Sequence, residues 1–289
     1  TGMCMSRLLQ TLIATSLLLI GFMAQSYEIE DLGDGLHRFI DDRHRSVFLI
    51  TPEGAVVTDP LNKKAAIWLN EQIKTRYNVP VKYVIYSHNH SDHIYGAEVF
   101  KSPHTTFVAH KLAAQDIKNT QMKTVMPTLT FEDELTLNLG GSTVKLNYHG
   151  PNDGRGSVSI LFEKQKTLFV VDWIVIGRMP WQKLWSYDIQ GMINSTQAVL
   201  KYDFNTFVGG HADIGSKADV ARYLSYLELL YSQVTAGVLA GNTLDEIKQN
   251  VKLDQFSDFK QFDAWLPLNI EGVYERLMEE SGMGWRSDL

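Results

Sequence analysis

Apolar runs and polar turns alternate along the first third of the chain and predict strands that flank a helix. Residues 36–60 alternate apolar runs around a Pro-Glu-Gly turn at positions 52–54, a pattern typical of strand, hairpin and strand. Residues 62–78 then space apolar side chains at helical intervals, and residues 81–87 form a short apolar run that predicts a strand buried on both faces. The loop after residue 87 therefore lies at the carboxyl end of a buried strand, where open α/β sheets hold their ligands.

The same alternation continues through the middle of the chain. It predicts a strand at 105–110 and a helix at 111–119. Strands joined by turns follow within 129–150, 157–174 and 206–213. This order of elements favours the α/β fold class.

A helical period dominates the last quarter of the chain. It covers residues 217–249 and 259–280, with a break at Gly241-Asn242. No repeat, low-complexity linker or charge block marks a domain boundary. We therefore predict one α/β core over residues 27–215, with a helical extension packed on it over residues 216–289.

The first 26 residues differ from the rest. From Leu8 to Ala24 seventeen residues carry no charge, Arg7 precedes them, and Ala24-Gln25-Ser26 has the small-x-small spacing of a signal peptidase site. Hydroxyl residues interrupt this stretch, which is shorter than a comfortable membrane span. We expect a signal peptide over residues 1–26 that is cleaved after Ser26, with an uncleaved anchor as the alternative.

Composition and charge narrow the possible functions. The chain is 44% hydrophobic and 21% charged, as in globular proteins with a sizeable core. Without residues 1–26 it holds 26 basic and 33 acidic residues, a net charge of −7 that does not favour nucleic acid binding. The single cysteine, Cys4, leaves with the leader, so no disulfide framework is expected. We expect a periplasmic or secreted protein that acts on a small molecule, without stable membrane association.

Four side chains suited to metal binding stand within six positions directly after the strand at 81–87: His88, His90, Asp92 and His93. On an extended loop His88 and His90 project to one side, while Asp92 and His93 follow a turn and face another point. Imidazole and carboxylate are ligands that zinc accepts when no thiolate is present. The loop therefore predicts two ligands for each of two metal ions. The isolated histidines are expected to be structural: His37, His44, His104 and His110.

The segment HNHSDH at 88–93 matches the H-x-H-x-D-H motif of the metallo-β-lactamase superfamily, and the chain resembles this family over most of residues 27–289. VVTDP at 56–60, FVVDWI at 169–174 and GGHAD at 209–213 resemble further family motifs. The resemblance implies an αββα sandwich that binds one or two metal ions, zinc in the first instance. It also implies roles for individual residues: His88 and His90 bind the first ion, Asp92, His93 and His211 bind the second, Asp172 bridges them, and Asp59 supports the metal-binding loop from behind.

The sequence departs from the family pattern at one ligand. The family has a histidine after a Gly-Pro turn, but HGPNDGRGSV at 149–158 holds Asp153 in that position. Three interpretations are open. Asp153 replaces the imidazole as a ligand, or His149 swings in although strand alternation places it on the opposite face. In the third, Asn-Asp-Gly is only a turn and the first site is defective. An Asp153 ligand makes the site more negative and favours harder ions, so manganese or iron would compete better with zinc.

The resemblance implies a metal-dependent hydrolase in which metal-activated water cleaves an ester, thioester, lactone, β-lactam or phosphoester. Asp92 would orient that water and is the expected catalytic residue. Trp181, Trp185 and Tyr187 either wall a pocket for an apolar or cyclic substrate or merely pack their loop on the core. The rival interpretation is a non-catalytic metal-binding or sensor protein with a degenerate first site.

Overall fold

The structure is a computed structural model that describes residues 27–283. The expected signal peptide over residues 1–26 and the last six residues of the predicted extension lie outside the described range. Within that range, the helices are all too short or too polar to cross a membrane.

Two sheets form the centre of the molecule. The first sheet has seven strands in sequential spatial order: β1 Tyr27–Gly33, β2 Leu36–Asp41, β3 His44–Thr51, β4 Gly54–Thr58, β5 Val81–Ile85, β6 Thr106–His110 and β7 Leu129–Phe131. The second has six strands: β8 Glu134–Leu139, β9 Ser142–Tyr148, β10 Val158–Phe162, β11 Thr167–Val170, β12 Thr206–Gly209 and β13 Gly215–Ser216. The spatial order of the second sheet is β13-β12-β11-β10-β9-β8.

The described α-helices connect these strands or follow them: α1 Lys63–Gln72, α2 Ser91–Ile94, α3 Lys111–Asn119, α4 Ile189–Val199, α5 Lys217–Leu239, α6 Leu244–Asn250 and α7 Phe262–Glu280. A π-helical turn, Ile73–Tyr77, continues α1. Side-chain caps fix several starts: Asn62 accepts from the backbone of α1, and Ser216 forms a capping box with Asp219 at α5.

The layers are held by three apolar clusters. Between the sheets, Val56 and Ile85 of the first pack with Ile160 and Phe169 of the second. A second cluster covers the outer face of the first sheet with α1 and α3. A third covers the outer face of the second sheet with α4 to α7. The predicted αββα sandwich with carboxyl-terminal helices is confirmed, because each sheet buries one face against the other and one against helices.

Three features differ from the sequence prediction. The apolar run before residue 52 forms two strands, because Asp42 turns the chain with φ of 51°. Strand β1 and helix α4 were not predicted. Helix α4 contains Gly191 and several hydroxyl and amide residues of weak helix propensity. It forms because its apolar face, which includes Met192 and Ile193, is buried against the second sheet.

Parallel strand pairs bring four loops to one edge of the sandwich. Strands β4 and β5 run parallel, so Asp59 and the loop after Ile85 leave the first sheet together. Strands β11 and β12 also run parallel, so Asp172 and His211 leave the second sheet together. The two sets of loops converge at the candidate site.

Candidate metal centre

The seven side chains predicted to bind metal meet in one cluster. With His44, which was not among them, they form three neighbouring groups, and the ligand atoms of each group lie within 4.8 Å of one another. The groups are His88, His93 and Asp172; His90, Asp153 and Asp172; and His44, Asp92 and His211. We call His88, His90 and Asp153 the first half-site, and Asp92, His93 and His211 the second half-site. Metal binding by these residues remains a prediction.

A buried carboxylate holds the histidine loop from behind. Asp59 accepts hydrogen bonds from the backbone N–H of Ser87 at 2.8 Å and from its hydroxyl at 2.6 Å. Its Oδ2 also lies 3.8 Å from Nδ1 of His93. Burial raises the pKa of Asp59 to about 7, although the Ser87 hydrogen bonds oppose the shift. Asp59 thus contacts the loop and stays behind the cluster, the position that the family resemblance implied.

Hydrogen bonds fix which imidazole nitrogens face the cluster. The Ser87 hydroxyl donates to Asp59, so it accepts from Nδ1 of His88 at 2.8 Å and leaves Nε2 of His88 unprotonated. Nδ1 of His211 donates to the carbonyl of Arg43 at 2.8 Å, because a carbonyl only accepts. With Nδ1 of each ring engaged by these partners, Nε2 is the nitrogen that faces the cluster and is available to a metal ion.

Asp172 lies between the two half-sites. Its Oδ2 is 3.2 Å from Nε2 of His88 and 3.0 Å from Nδ1 of His90. Its Oδ1 is 3.3 Å from Nε2 of His211 and 3.7 Å from Nε2 of His93. Burial opposes the charge, but these imidazoles hold the pKa of Asp172 well below its ordinary value. One oxygen thus faces each half-site, the arrangement of a bridging carboxylate.

The second half-site has the dimensions of a metal site. Oδ2 of Asp92 lies 3.6 Å from Nε2 of His93 and 3.8 Å from Nε2 of His211, and the two nitrogens are 3.1 Å apart. A point equidistant from these three atoms lies about 2 Å from each, which is the length of zinc bonds to nitrogen and oxygen. Glycine is required beside it, since a Cβ on Gly210 would lie 2.4 Å from Val171 and 2.9 Å from His93.

The first half-site contains an uncompensated buried carboxyl group. Asp153 is 1% exposed, and neither of its carboxyl oxygens has a hydrogen-bond partner among the described residues. Its Oδ1 lies 3.9 Å from Nε2 of His90. Burial and the nearby charge of Asp172 raise the pKa of Asp153 well above its ordinary value. Two adjacent buried carboxyl groups can both be ionised only with a cation between them, so these residues fit a divalent ion.

The alternative ligand His149 lies outside the cluster. Its Nε2 is 2.8 Å from the hydroxyl oxygen of Ser159, and its ring packs near Trp173 and Tyr202. Burial lowers the pKa of His149 to about 4. The alternation of β9 therefore places this side chain on the face away from the metal centre, as the strand pattern indicated.

His44 corrects one sequence interpretation. It was expected to be structural, yet its Nε2 lies 3.2 Å from Oδ2 of Asp92, and its ring centroid is 5.0 Å from that of His211. An isolated histidine after a turn carries no local signal for this position. The other three isolated histidines are placed as expected: His37 stacks on Phe48, His110 caps α3, and His104 is exposed on a turn.

A cavity of about 360 Å³ opens onto the cluster. Trp181, Trp185 and Tyr187 line one side of it, so these aromatics do wall a pocket. Arg178 also lines the cavity, and its guanidinium lies 5.9 Å from the ring centroid of Trp181. Within residues 27–283 no carboxylate forms an ion pair with Arg178, and its Nε is buried without a hydrogen-bond partner.

Comparisons with known proteins identify relatives of this chain. The chain is 27% identical over 209 residues to the 2,4-dinitroanisole O-demethylase subunit alpha of Nocardioides sp. (strain JS1661), covering 70% of this chain and 56% of that protein. The chain thus spans about half the length of this curated relative.

Two solved structures show the same fold. A metallo-beta-lactamase from Pontibacter korlensis aligns with a TM-score of 0.63 at 21% identity, covering 70% of this chain and 99% of that one. The stereoselective inverting sec-alkylsulfatase from Pseudomonas sp. aligns with a TM-score of 0.73 at 17% identity, covering 86% of this chain and 50% of that one. The family model described as the metallo-beta-lactamase superfamily matches residues 40–211. The chain therefore belongs to the metallo-beta-lactamase superfamily, whose members are generally metal-dependent hydrolases.

Proposed function

We propose that the protein is a metal-dependent hydrolase of small molecules, with one or two divalent ions held at the two half-sites. The observation that carries this proposal is the bridging position of Asp172, whose two oxygens face imidazole nitrogens of opposite half-sites. Zinc suits the imidazoles, while the carboxylate of Asp153 lets manganese or iron compete at the first half-site. An ion bound here supplies an activated water as nucleophile and positive charge for the leaving group.

The residues around the cavity divide the remaining tasks. Asp92 reaches the cavity with a side chain that is 46% exposed, so its carboxylate can accept a hydrogen bond from the attacking water and orient it. Asp59 and Ser87 keep the histidine loop in place, which maintains the direction of His88. Ionised Asp172 contacts imidazoles of both half-sites and so links them.

The cavity wall indicates a substrate with an apolar part and an anionic or strongly polarised part. Trp181 and Trp185 are 43% and 59% exposed, so they offer flat apolar faces at the cavity. Arg178 offers a cation beside them that no carboxylate within residues 27–283 neutralises. A structural neighbour, the sec-alkylsulfatase, is named for an alkyl ester of an oxyacid, and the similar O-demethylase is named for an aryl ether, 2,4-dinitroanisole. Aryl and alkyl esters of oxyacids are therefore the preferred candidates among the ester-type substrates.

The proposal is tested by comparing the wild type with Asp92→Ala and Asp92→Asn. The substrates are an aryl sulfate, a phosphodiester, a lactone, a thioester and a chromogenic cephalosporin, each assayed after metal removal and again after metal is restored. Hydrolysis of at least one substrate that needs both metal and Asp92 is expected. Equal background rates for all three proteins would instead favour the rival function, a metal-binding or sensor protein without turnover.

A further inference from the structure

His44 stands beside the second half-site, although the family motifs assign it no role. We propose that Nε2 of His44 is an additional ligand of the metal ion bound by Asp92, His93 and His211. This inference rests on the metal centre of the proposed function and goes beyond it, because it assigns a different donor set, and hence a different metal preference, to each half-site.

Backbone contacts hold His44 in place from both sides. The β2–β3 turn precedes it, and the carbonyl of Arg43 accepts the 2.8 Å hydrogen bond from Nδ1 of His211. The backbone N–H of Arg45 donates to the carbonyl of Gly210 at 2.8 Å. The residues on either side of His44 are therefore tied to the loop that carries His211. This attachment limits the freedom of the imidazole, which is 29% exposed.

The distance from His44 to Asp92 matches that between two ligands of one ion. Two bonds of about 2.1 Å that meet at 90 to 110° place the ligand atoms roughly 3.0 to 3.4 Å apart. Nε2 of His44 is 3.2 Å from Oδ2 of Asp92. That same oxygen is the one that completes the triangle with His93 and His211. The ligand atoms of His44, Asp92 and His211 all lie within 4.8 Å of one another, so His44 stands among the donors available to the same ion.

This extra ligand makes the two half-sites chemically unequal. The second half-site then has three imidazoles and the carboxylate of Asp92, whereas the first has two imidazoles and the carboxylate of Asp153. Imidazole suits zinc and carboxylate suits manganese, so the sites differ in the ion that they prefer. The expected product is a mixed centre with zinc at the second half-site and a harder ion at the first.

Zinc-loaded crystals and cobalt spectra of the full chain test the ligand directly. In anomalous maps of the wild type, we expect an ion about 2.0–2.1 Å from Nε2 of His44. His44→Ala is expected to bind the second ion at least tenfold more weakly and to change the visible absorption of bound Co²⁺. His104→Ala, which removes an exposed histidine that belongs to none of the candidate ligand groups, should leave both readouts unchanged.

Two results would contradict the assignment of His44 as a ligand. An ion more than about 3 Å from Nε2 of His44, with the contact to Asp92 retained, would overturn the ligand assignment. An unchanged Co²⁺ spectrum in His44→Ala would do the same, even if affinity falls, because an orienting residue alters affinity without leaving the coordination sphere. Circular dichroism of His44→Ala checks that the variant is folded.

These outcomes are separable from those of the proposed function. Metal bound by His44 in a protein that hydrolyses nothing would retain this inference and remove the hydrolase. Hydrolysis that depends on Asp92, in a protein whose ion lies away from His44, would do the reverse.

Discussion

The two half-sites share Asp172 but differ in the exposure of their own carboxylates. In the first half-site Asp153 is 1% exposed, beside His88 at 1% and His90 at 37%. In the second half-site Asp92 is 46% exposed, beside His211 at 16% and His93 at 0%. A buried carboxylate pays a large desolvation cost and binds a cation strongly, whereas an exposed one is available to water and substrate. The comparison indicates that Asp153 mainly binds metal, whereas Asp92 is also available to water and substrate.

Asp172→Asn is the largest perturbation, because it removes the charge that both half-sites share. We expect both ions to be bound at least a hundredfold more weakly and hydrolysis to fall to background. Metal analysis after dialysis, together with the substrate panel, measures this. Asp203→Asn, at a carboxylate that is 78% exposed, is the matched control and should retain both ions. Loss of only one ion from Asp172→Asn would contradict the bridging role.

Substitution of Asp153 tests the first half-site alone. Asp153→Asn removes the negative charge and is expected to weaken only the first ion, by about ten- to hundredfold. Asp153→His restores the family pattern and should shift the first half-site towards zinc. Metal content of protein purified without added metal provides the measurement. If the wild type already holds two zinc ions per chain and no other metal, Asp153 does not favour a harder ion.

Arg178→Ala tests the cavity wall through its effect on substrate binding. For an anionic aryl ester we expect KM to rise about tenfold, which corresponds to about 1.4 kcal/mol, with kcat little changed. A neutral aryl ester should show less than about a twofold change, since it has no anion for Arg178 to bind. The control is Arg276→Ala, at a guanidinium paired with Glu279 on α7. Equal changes for both substrates would assign Arg178 to packing against its Trp neighbours.

His149→Gln is expected to have no effect on the metal centre. It therefore tests whether Asp153, and not His149, serves the first half-site. The ordinary pKa of histidine is about 6.5, and burial lowers that of His149 to about 4. The unfolded chain therefore binds the proton more readily, and His149 costs stability as pH falls from about 6.5 to 4. His149→Gln should remove about 1–3 kcal/mol of this acid sensitivity in urea unfolding at pH 7 and pH 5. A weaker first ion in this variant would mean that His149 contributes to the first half-site.

The fold and the histidine loop were predictable because their signals are local. Apolar alternation marks a strand within a few residues, and the ligands of 88–93 follow one another along a single loop. The substitution at Asp153 was also visible, since Gly150-Pro151 and the following strand set the register. Strand alternation then indicated correctly that His149 points away.

The missed features depend on contacts between distant parts of the chain. Helix α4 has weak propensity and forms by burying Met192 and Ile193. His44 is an ordinary histidine in sequence and joins Asp92 only because the β2–β3 turn bonds to the loop around His211. No residue near His44 in sequence carries that information.

Periodicity and the loop at 88–93 determined the order of the elements and four candidate ligands, because these signals lie in neighbouring residues. The resemblance to the family supplied the sandwich and the other three candidate ligands. Only the tertiary structure decided that Asp172 turns one oxygen to each half-site, that Asp153 is buried without a hydrogen-bond partner among the described residues, and that His44 lies beside Asp92. These facts depend on which strands lie side by side, and strand neighbours are set by packing across the whole chain.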